Sequence, residues 1–590
     1  MLSANDFFVC FFRKTLYINS EQKEMDRMKD LPISKATRMN WSRLQTSADA
    51  RLTKRANKRL SAKQVVPVEY FRKRRNIGKV LALAGIITGK NLRWADALYT
   101  IGIRLLRRAG IENKQNVQQV LAQYPLRFLP ELAEIELPAG ETDLPGALYQ
   151  CLLLEGHKNV KGSYYTPRAI AGTLLKNIRL KSGMRFLDPC CGSGALLLQV
   201  QCDDPAALCG MDNDPLAVML AKFNLLLKYP ECDFIPDIRS GDFLQCQMNE
   251  KFDFIVTNPP WGAVCSGKAK ENIIRSGESF SLFFVKAFEM LKASGVSRFL
   301  FPEAVLDVKK HQDLRKFMLE KCRLEKIICF SGRFSGVTCN CVGIFCRNCP
   351  PGRVIRMKSA AGEKTVSLKL LLSDPLVSFI PRAAEDTELV KYIFSRKKYD
   401  LSESLWAIGI VTGNNREKLF SASAPGLEPI YTGREVRAYT LLPCCKFIRY
   451  DRKAFQQAAP EAYYRAPEKL VYKFISEKLV FAYDDSGALF LNSANILIPR
   501  IPGMSIKTAL AFLNSDVFAY LRKMSSAGVK VLKGELTGLP FPAISAEENR
   551  LLENLVDDIL AGEDAAEVLN EHIFRIFALT PEQIARIRQA

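Results

Sequence analysis

Histidine is almost missing from this 590-residue sequence, which has only His157, His311 and His572. So small a supply excludes a His-rich metal centre, and no metal is expected. Long apolar runs are missing too. The longest lies near Val80–Ile87, far short of the roughly 18 residues of a membrane span, and Phe7–Phe12 is too short and wrongly flanked for a signal peptide. A disulfide framework is not indicated either: 17 cysteines spread over the chain, some adjacent as in Cys190–Cys191 and Cys444–Cys445, read as reduced thiols. A soluble intracellular protein with no membrane partner is expected. With 48% hydrophobic and 25% charged residues the chain is ordinary globular material, and its length calls for two or three domains.

What the sequence does have is basic charge. Lys and Arg number 84 against 62 Asp and Glu, a net +22. Residues 1–80 hold 19 of the former and 7 of the latter, so +12 of the excess sits at one end. Clusters such as Arg51-Lys54-Arg55-Lys58-Arg59 and Arg72-Lys73-Arg74-Arg75 suit phosphate neutralisation, although a solvated basic tail has the same composition. Asp6 with Glu21-x-Lys23 offers the residue types of a metal-dependent nuclease, but Ser20–Lys29 is polar and helix-like where such a core needs a buried strand.

From Val80 to Leu153 the spacing is helical, with a break at Leu137-Pro-Ala-Gly-Glu141. Strand-like runs follow at Arg185–Asp188, Ala207–Asp212, Phe252–Thr257 and Val296–Phe301, separated by helical stretches such as Pro215–Leu227 and Ser281–Lys292. Alternation of this kind predicts a parallel, doubly wound α/β sheet. After about Pro350 shorter mixed segments with Gly and Asp turns predict a second, α+β domain, and helices close the chain after Ala546. The expected boundaries are a basic extension 1–78, a helical region 79–160, a catalytic domain 161–355, a connecting segment 356–400, a recognition domain 401–545 and a helical end 546–590.

Two motifs carry chemistry. Strand Arg185–Asp188 runs into Pro189-Cys190-Cys191-Gly192-Ser193-Gly194 and then Ala195-Leu-Leu-Leu, a strand, glycine turn and helix start that would let backbone approach a ligand closely. Asp212, followed by Asn213, ends the next strand, and Gly241-Asp242-Phe243 follows a third. Acids at successive strand ends suit ribose hydroxyls, and the set fits adenosine with a sulfonium tail. The second motif is Asn258-Pro259-Pro260-Trp261 after Phe252–Thr257. Two prolines fix the turn and remove amide donors, leaving the Asn258 side-chain oxygen and the Pro259 carbonyl as acceptors for the hydrogens of an exocyclic amine. Trp261 can stack on an extruded base.

With these motifs in this order, the sequence resembles the gamma-class, Taq-type N6-adenine DNA methyltransferases of restriction–modification systems over about Gly162–Pro542. The resemblance implies a Rossmann-like, doubly wound S-adenosylmethionine-dependent domain with a C-terminal α+β target-recognition domain. By that resemblance Tyr165, Thr166 and Pro167, in Gly162-Ser-Tyr-Tyr-Thr-Pro167, contact S-adenosylmethionine with Asp188, Pro189, Cys190, Gly192, Gly194, Asp212, Asn213, Asp242, Phe243 and Asn258. Asn258, Pro259, Pro260 and Trp261 become the catalytic motif, with Phe334 in Gly332-Arg-Phe-Ser-Gly-Val337 on the second face of the extruded adenine. The chain departs from the family in Cys190-Cys191 and in Trp261, where Tyr is commoner. Arg465, Lys469, Lys473 and Lys533, with Tyr472 between them, are the expected DNA-binding residues.

The expected reaction is methylation of adenine N6 in double-stranded DNA, in a bacterial or archaeal cytoplasm and associated with the nucleoid. A monomer is expected, and a separate restriction endonuclease is a candidate partner. Methylation of an RNA base or a protein glutamine amide remains open, as does an inert DNA-binding subunit. Cys339-x-Cys341-x4-Cys346-x2-Cys349 could be four zinc ligands, but Thr338–Cys346 has the composition of a β-strand, which would spread Cys339, Cys341 and Cys346 along one extended run.

Overall fold

The computed structural model describes Val68, residues 71–153, 166–261, Ile274, 277–330 and 340–589 except 361, 376, 381 and 526–528. Tyr165, Phe334, Cys339 and the expected basic extension as far as 67 lie outside the described residues. The described chain divides into two compact units, one of 71–305 with 313–368, the other of 306–312 with 369–589.

The first unit opens with helices α1 (Arg75–Gly89), α2 (Trp94–Arg108), α3 (Gln115–Leu121), α4 (Leu144–Leu152) and α5 (Arg168–Leu175). A nine-stranded sheet follows: β1 (Phe186–Asp188), β2 (Leu208–Asp212), β3 (Asp237–Ser240), β4 (Phe252–Thr257), β5 (Leu291–Pro302), β6 (Arg323–Phe330), β7 (Cys341–Arg347), β8 (Val354–Ser359) and β9 (Gly362–Ser367). Helices α6 (Pro215–Lys228) and α7 (Ser279–Glu289) connect strands. The sheet order is β9-β8-β6-β7-β5-β4-β1-β2-β3. From β5 to β3 every pairing is parallel, which explains why β1 is buried at all three positions and reads as a continuous apolar run. β7 enters antiparallel between β5 and β6, and β9 is antiparallel to β8, so the sheet is mixed where a parallel one was expected.

Helix α6 starts where Asp214 accepts from the Leu216 amide at 3.1 Å and Pro215 fills the first turn. The cysteines at 341 and 346 are both buried in β7, five positions apart and so on opposite faces.

Two expected boundaries shift. Leu83, Leu98, Val117 and Leu148 of the N-terminal helices share one core with Phe186, Leu208, Val256 and Leu300 of the sheet, so the helices within 79–153 pack as part of the first unit. β8 and β9 extend the sheet to Ser367, beyond the expected end at 355. Both misplacements have one cause: a helix that covers a sheet face, or a strand added at its edge, has no local sequence mark of the body it joins.

In the second unit, β10 (Leu405–Ala407), β11 (Lys469–Lys473), β12 (Phe481–Asp484) and β13 (Ala494–Ile498) form an antiparallel sheet in the order β10-β13-β11-β12. A smaller four-stranded sheet is built from 419–420, 428–431, 447–448 and 489–490. The terminal helices contribute Leu552, Val556, Leu569 and Ile573 to the same core as Leu470 and Leu497, so the expected helical end 546–590 is part of this body.

Candidate functional site

The strand order reverses at β1, whose neighbours are β4 on one side and β2 on the other. Ligands of doubly wound sheets bind outside the carboxyl ends of the strands at such a switch point. Both sequence motifs arrive there: 189–194 leaves β1 and 258–261 leaves β4.

Asp188, 1% exposed, ends β1. Its Oδ1 accepts from the Thr257 hydroxyl at 2.7 Å and the Cys190 amide at 3.2 Å, so one carboxylate ties the glycine turn to the residue before Asn258. Gly192 and Gly194 take φ of +54° and +94°, left-handed values that favour glycine. The Gly192 amide donates to Asp212 Oδ2 at 2.9 Å and the Asp214 amide to its Oδ1 at 2.9 Å, which fixes the Asp212 carboxylate beside the turn. The helix expected from Ala195 is only a 3₁₀ turn, Leu197–Gln199, so the turn lacks the long helix dipole that the sequence suggested. Pro189 and Cys191 are buried, and burial with the neighbouring Asp188 raises the Cys190 thiol well above its ordinary value.

Asn213 and Asp242 are exposed. Asp242 accepts from the Leu244 amide and the Gln245 side chain, each at 2.9 Å. Phe243 is 1% exposed, with its ring 5.2 Å from that of Phe283 and the Lys286 ammonium 5.2 Å from its centroid. The ring of Phe243, expected by resemblance among the cofactor contacts, sits in the core because α7 covers it. Thr166 and Pro167 are buried just before α5.

Asn258 is half-buried and Pro259 buried. Two contacts hold the turn: the Ser279 hydroxyl donates to the Pro260 carbonyl at 2.5 Å, and the Trp261 indole N–H donates to the Leu300 carbonyl on β5 at 3.2 Å. The half-buried indole also packs against the hydrophobic core of the first unit.

Several supports were invisible in the sequence. Asp143, 6% exposed, caps α4 through the Gly146 amide at 2.7 Å, accepts from Asn224 Nδ2 at 2.6 Å and accepts the Ser193 hydroxyl of the glycine turn. A Cβ at Gly146 would lie 2.2 Å from both Asp143 Oδ2 and Ser193 Oγ, so this junction requires glycine. The Tyr149 hydroxyl donates to Asp214 Oδ2 at 2.6 Å. α4 thus braces both cofactor-loop candidates; Asp143 preceding Leu-Pro-Gly was the available signal, as a helix cap.

Burial pushes the Asp188 carboxyl up to about 7, against the Thr257 and Cys190 donors that favour its charged form. Between about pH 4 and 7 the native protein holds a proton that the unfolded chain has released, so this group's contribution to stability falls as pH rises through that window and is lowest above it. Because both donors reach Oδ1, Asp188→Asn keeps them. The variant is expected to lose less melting temperature than the parent between pH 5 and pH 8, as scanning calorimetry would read; equal losses would contradict the burial effect.

Of the expected DNA-binding residues, Lys469 is corrected. It is fully buried on the central strand β11 and ion-paired with Asp484, which lies opposite it on β12. Arg465 is already engaged by Glu428 at 2.7 Å, Glu461 at 3.4 Å and the Gly487 carbonyl at 3.1 Å. Tyr472 is 3% exposed and packs edge-on against Trp406. Lys473 is half-buried, and Lys533 is exposed with its ammonium 5.6 Å from the Trp406 ring centroid. Among the described residues no helix is long and apolar enough to cross a membrane.

Comparison with known proteins finds two families. N-6 DNA Methylase matches residues 140–351, and the TaqI-like C-terminal specificity domain matches 428–541. The chain is 29% identical over 316 residues to the Type II methyltransferase M.VspI of Vibrio sp. (strain 343), covering 51% of this chain and 75% of that one. It is 27% identical over 180 residues to the modification methylase CviBIII of Paramecium bursaria Chlorella virus NC1A, covering 29% and 45%. In fold it is similar to the Type IIL restriction-modification enzyme MmeI, solved in complex with DNA, with a TM-score of 0.53 and 13% identity over 94% of this chain and 98% of that one.

Proposed function

We propose, for a chain that is by its two domains and their order a gamma-class DNA methyltransferase of the restriction–modification type, that it transfers a methyl group from S-adenosylmethionine to N6 of an adenine extruded from double-stranded DNA. The observation that carries this reading is the placement of Asn258–Trp261 beside the glycine turn at the switch point, joined to it through Thr257 and Asp188.

The donor set suits the cofactor. Asp212 presents a carboxylate already oriented by two amides, able to accept from a ribose diol, and the left-handed Gly192 and Gly194 keep side chains out of the turn. When bound, S-adenosylmethionine supplies an electrophilic methyl on sulfur. The chain's own part is to make the amine a nucleophile. The adenine N6 lone pair is delocalised into the ring, and acceptance of its two hydrogens by Asn258 Oδ1 and the Pro259 carbonyl favours the pyramidal nitrogen. Ser279 and Leu300 fix the turn, so these acceptors need little reorganisation. Trp261 offers a stacking surface that offsets lost duplex stacking.

Asp212→Ala is expected to weaken S-adenosylmethionine binding by about 1–3 kcal/mol through lost charge-assisted hydrogen bonds. Calorimetric titration with unchanged affinity would contradict the assignment. Sequencing DNA from cells expressing the protein, with detection of modified bases, tests the reaction and yields the recognition site. Unmodified adenine throughout would reject the reading.

A further inference from the structure

In the second unit the chain leaving β11 meets a distant segment. Ile475 bridges antiparallel to Lys530, the Ser476 amide donates to the Val529 carbonyl at 2.7 Å, and the Val531 amide to the Phe474 carbonyl at 2.9 Å. Residues 474–476 and 529–531 therefore form a two-stranded rib, with Lys473 and Lys533 at its ends. Strand alternation sorts its faces. Val531 turns inward at 1% exposed, whereas Ile475 is 61% exposed opposite an exposed Lys530. Val529, 49% exposed, lies on the Val531 face by the same alternation, and Leu532, 36% exposed, follows.

Lysines surround these apolar side chains. Lys478, Lys530 and Lys533 are exposed and Lys473 is half-buried, against one exposed acid, Glu477. Glu535 is already taken by Arg522 at 2.8 Å. Among the described residues none of these four lysines forms an ion pair. Burial, and then the Arg437 guanidinium, hold the Lys473 ammonium below its ordinary pKa.

Exposed aliphatic side chains among unpaired lysines have two needs, a polyanion and something apolar between its charges. We propose that this rib enters a groove of double-stranded DNA, with Lys473, Lys530 and Lys533 on phosphates and Ile475 against base edges. A two-stranded ribbon fits the roughly 12 Å major groove of B-DNA, where thymine methyls are accessible, and does not fit the deep, narrow major groove of duplex RNA. This assignment rests on the DNA-methyltransferase reading and identifies which surface of the specificity domain meets the substrate.

The test uses the full chain and a short random-sequence DNA duplex, titrated at several salt concentrations, beside the duplex carrying the site found by mapping modified bases. Lys530→Gln, at a solvated position, is expected to make the log–log salt slope shallower by about 0.9, and Lys473→Gln with Lys530→Gln by about twice that, at unchanged melting temperature. Ile475→Ser is expected to keep the slope and cut the preference for the mapped site over random duplex by roughly tenfold. An unchanged slope in Lys530→Gln overturns the docking surface, as does tighter binding of a matched RNA duplex; unchanged discrimination in Ile475→Ser overturns the groove contact. If the unmodified protein methylates no DNA yet Lys530→Gln flattens its salt slope, the methyltransferase reading fails and the rib stands as a DNA-binding surface.

Discussion

Asn258→Ala is expected to abolish detectable methyl transfer while leaving S-adenosylmethionine and DNA affinity largely unchanged. The side-chain oxygen matters most as N6 rehybridises, so its loss falls on the transition state and not on the ground state. A preorganised partner aimed at developing charge is worth about 10²–10³ in rate. The surrounding geometry supports so local an effect: the turn is held by Ser279 and Leu300 and the preceding Thr257 by Asp188, none of which depends on the Asn258 side chain. Single-turnover kinetics with saturating cofactor and DNA read the step directly. A variant with full activity would refute the mechanism, and one that lost cofactor binding in proportion would show that Asn258 serves only the ligand site.

The second large effect is on stability. Lys469→Ala leaves Asp484 buried and unpaired at 3% exposed, and removing one partner of such a pair costs about 3–5 kcal/mol. A phosphate-contact role would instead reduce DNA affinity with an unchanged melting curve. The expected outcome is a clear fall in melting temperature, recovered in part by Lys469→Met with Asp484→Leu, which removes both charges at similar volume. Native melting of Lys469→Ala would contradict the buried pair.

The comparison between Lys469 and Lys473 shows where sequence reading stops. Four residues apart on one strand, they share a face by alternation and look equivalent in Lys469-Leu-Val-Tyr-Lys473. Their environments differ because Asp484 lies opposite the first, while the second leads out into the rib with Lys530. Pairing across 15 and 55 residues decides which lysine is buried in an ion pair, and no local pattern records it. The glycine turn and Asn258–Trp261 were legible for the opposite reason: each is a short contiguous run whose backbone chemistry is set by its own glycines and prolines.

The supports were not. Thr257 is a single hydroxyl in an apolar strand, Ser279 is one of three serines in Ser276-Gly-Glu-Ser279-Phe-Ser281, and Asp143 lies 50 residues before the Ser193 that it holds. Phe243 shows the same limit from the other side, since its place beside Asp242 gives no sign that α7 covers its ring.

The central claim is that the acceptors at 258 and 259 serve an adenine amine in duplex DNA. Transfer of tritiated methyl groups to duplex DNA, followed by nucleoside chromatography, tests it most directly. Label recovered in N6-methyladenine, absent from the Asn258→Ala reaction, is the predicted result; label in N4-methylcytosine, in RNA or in protein would contradict it.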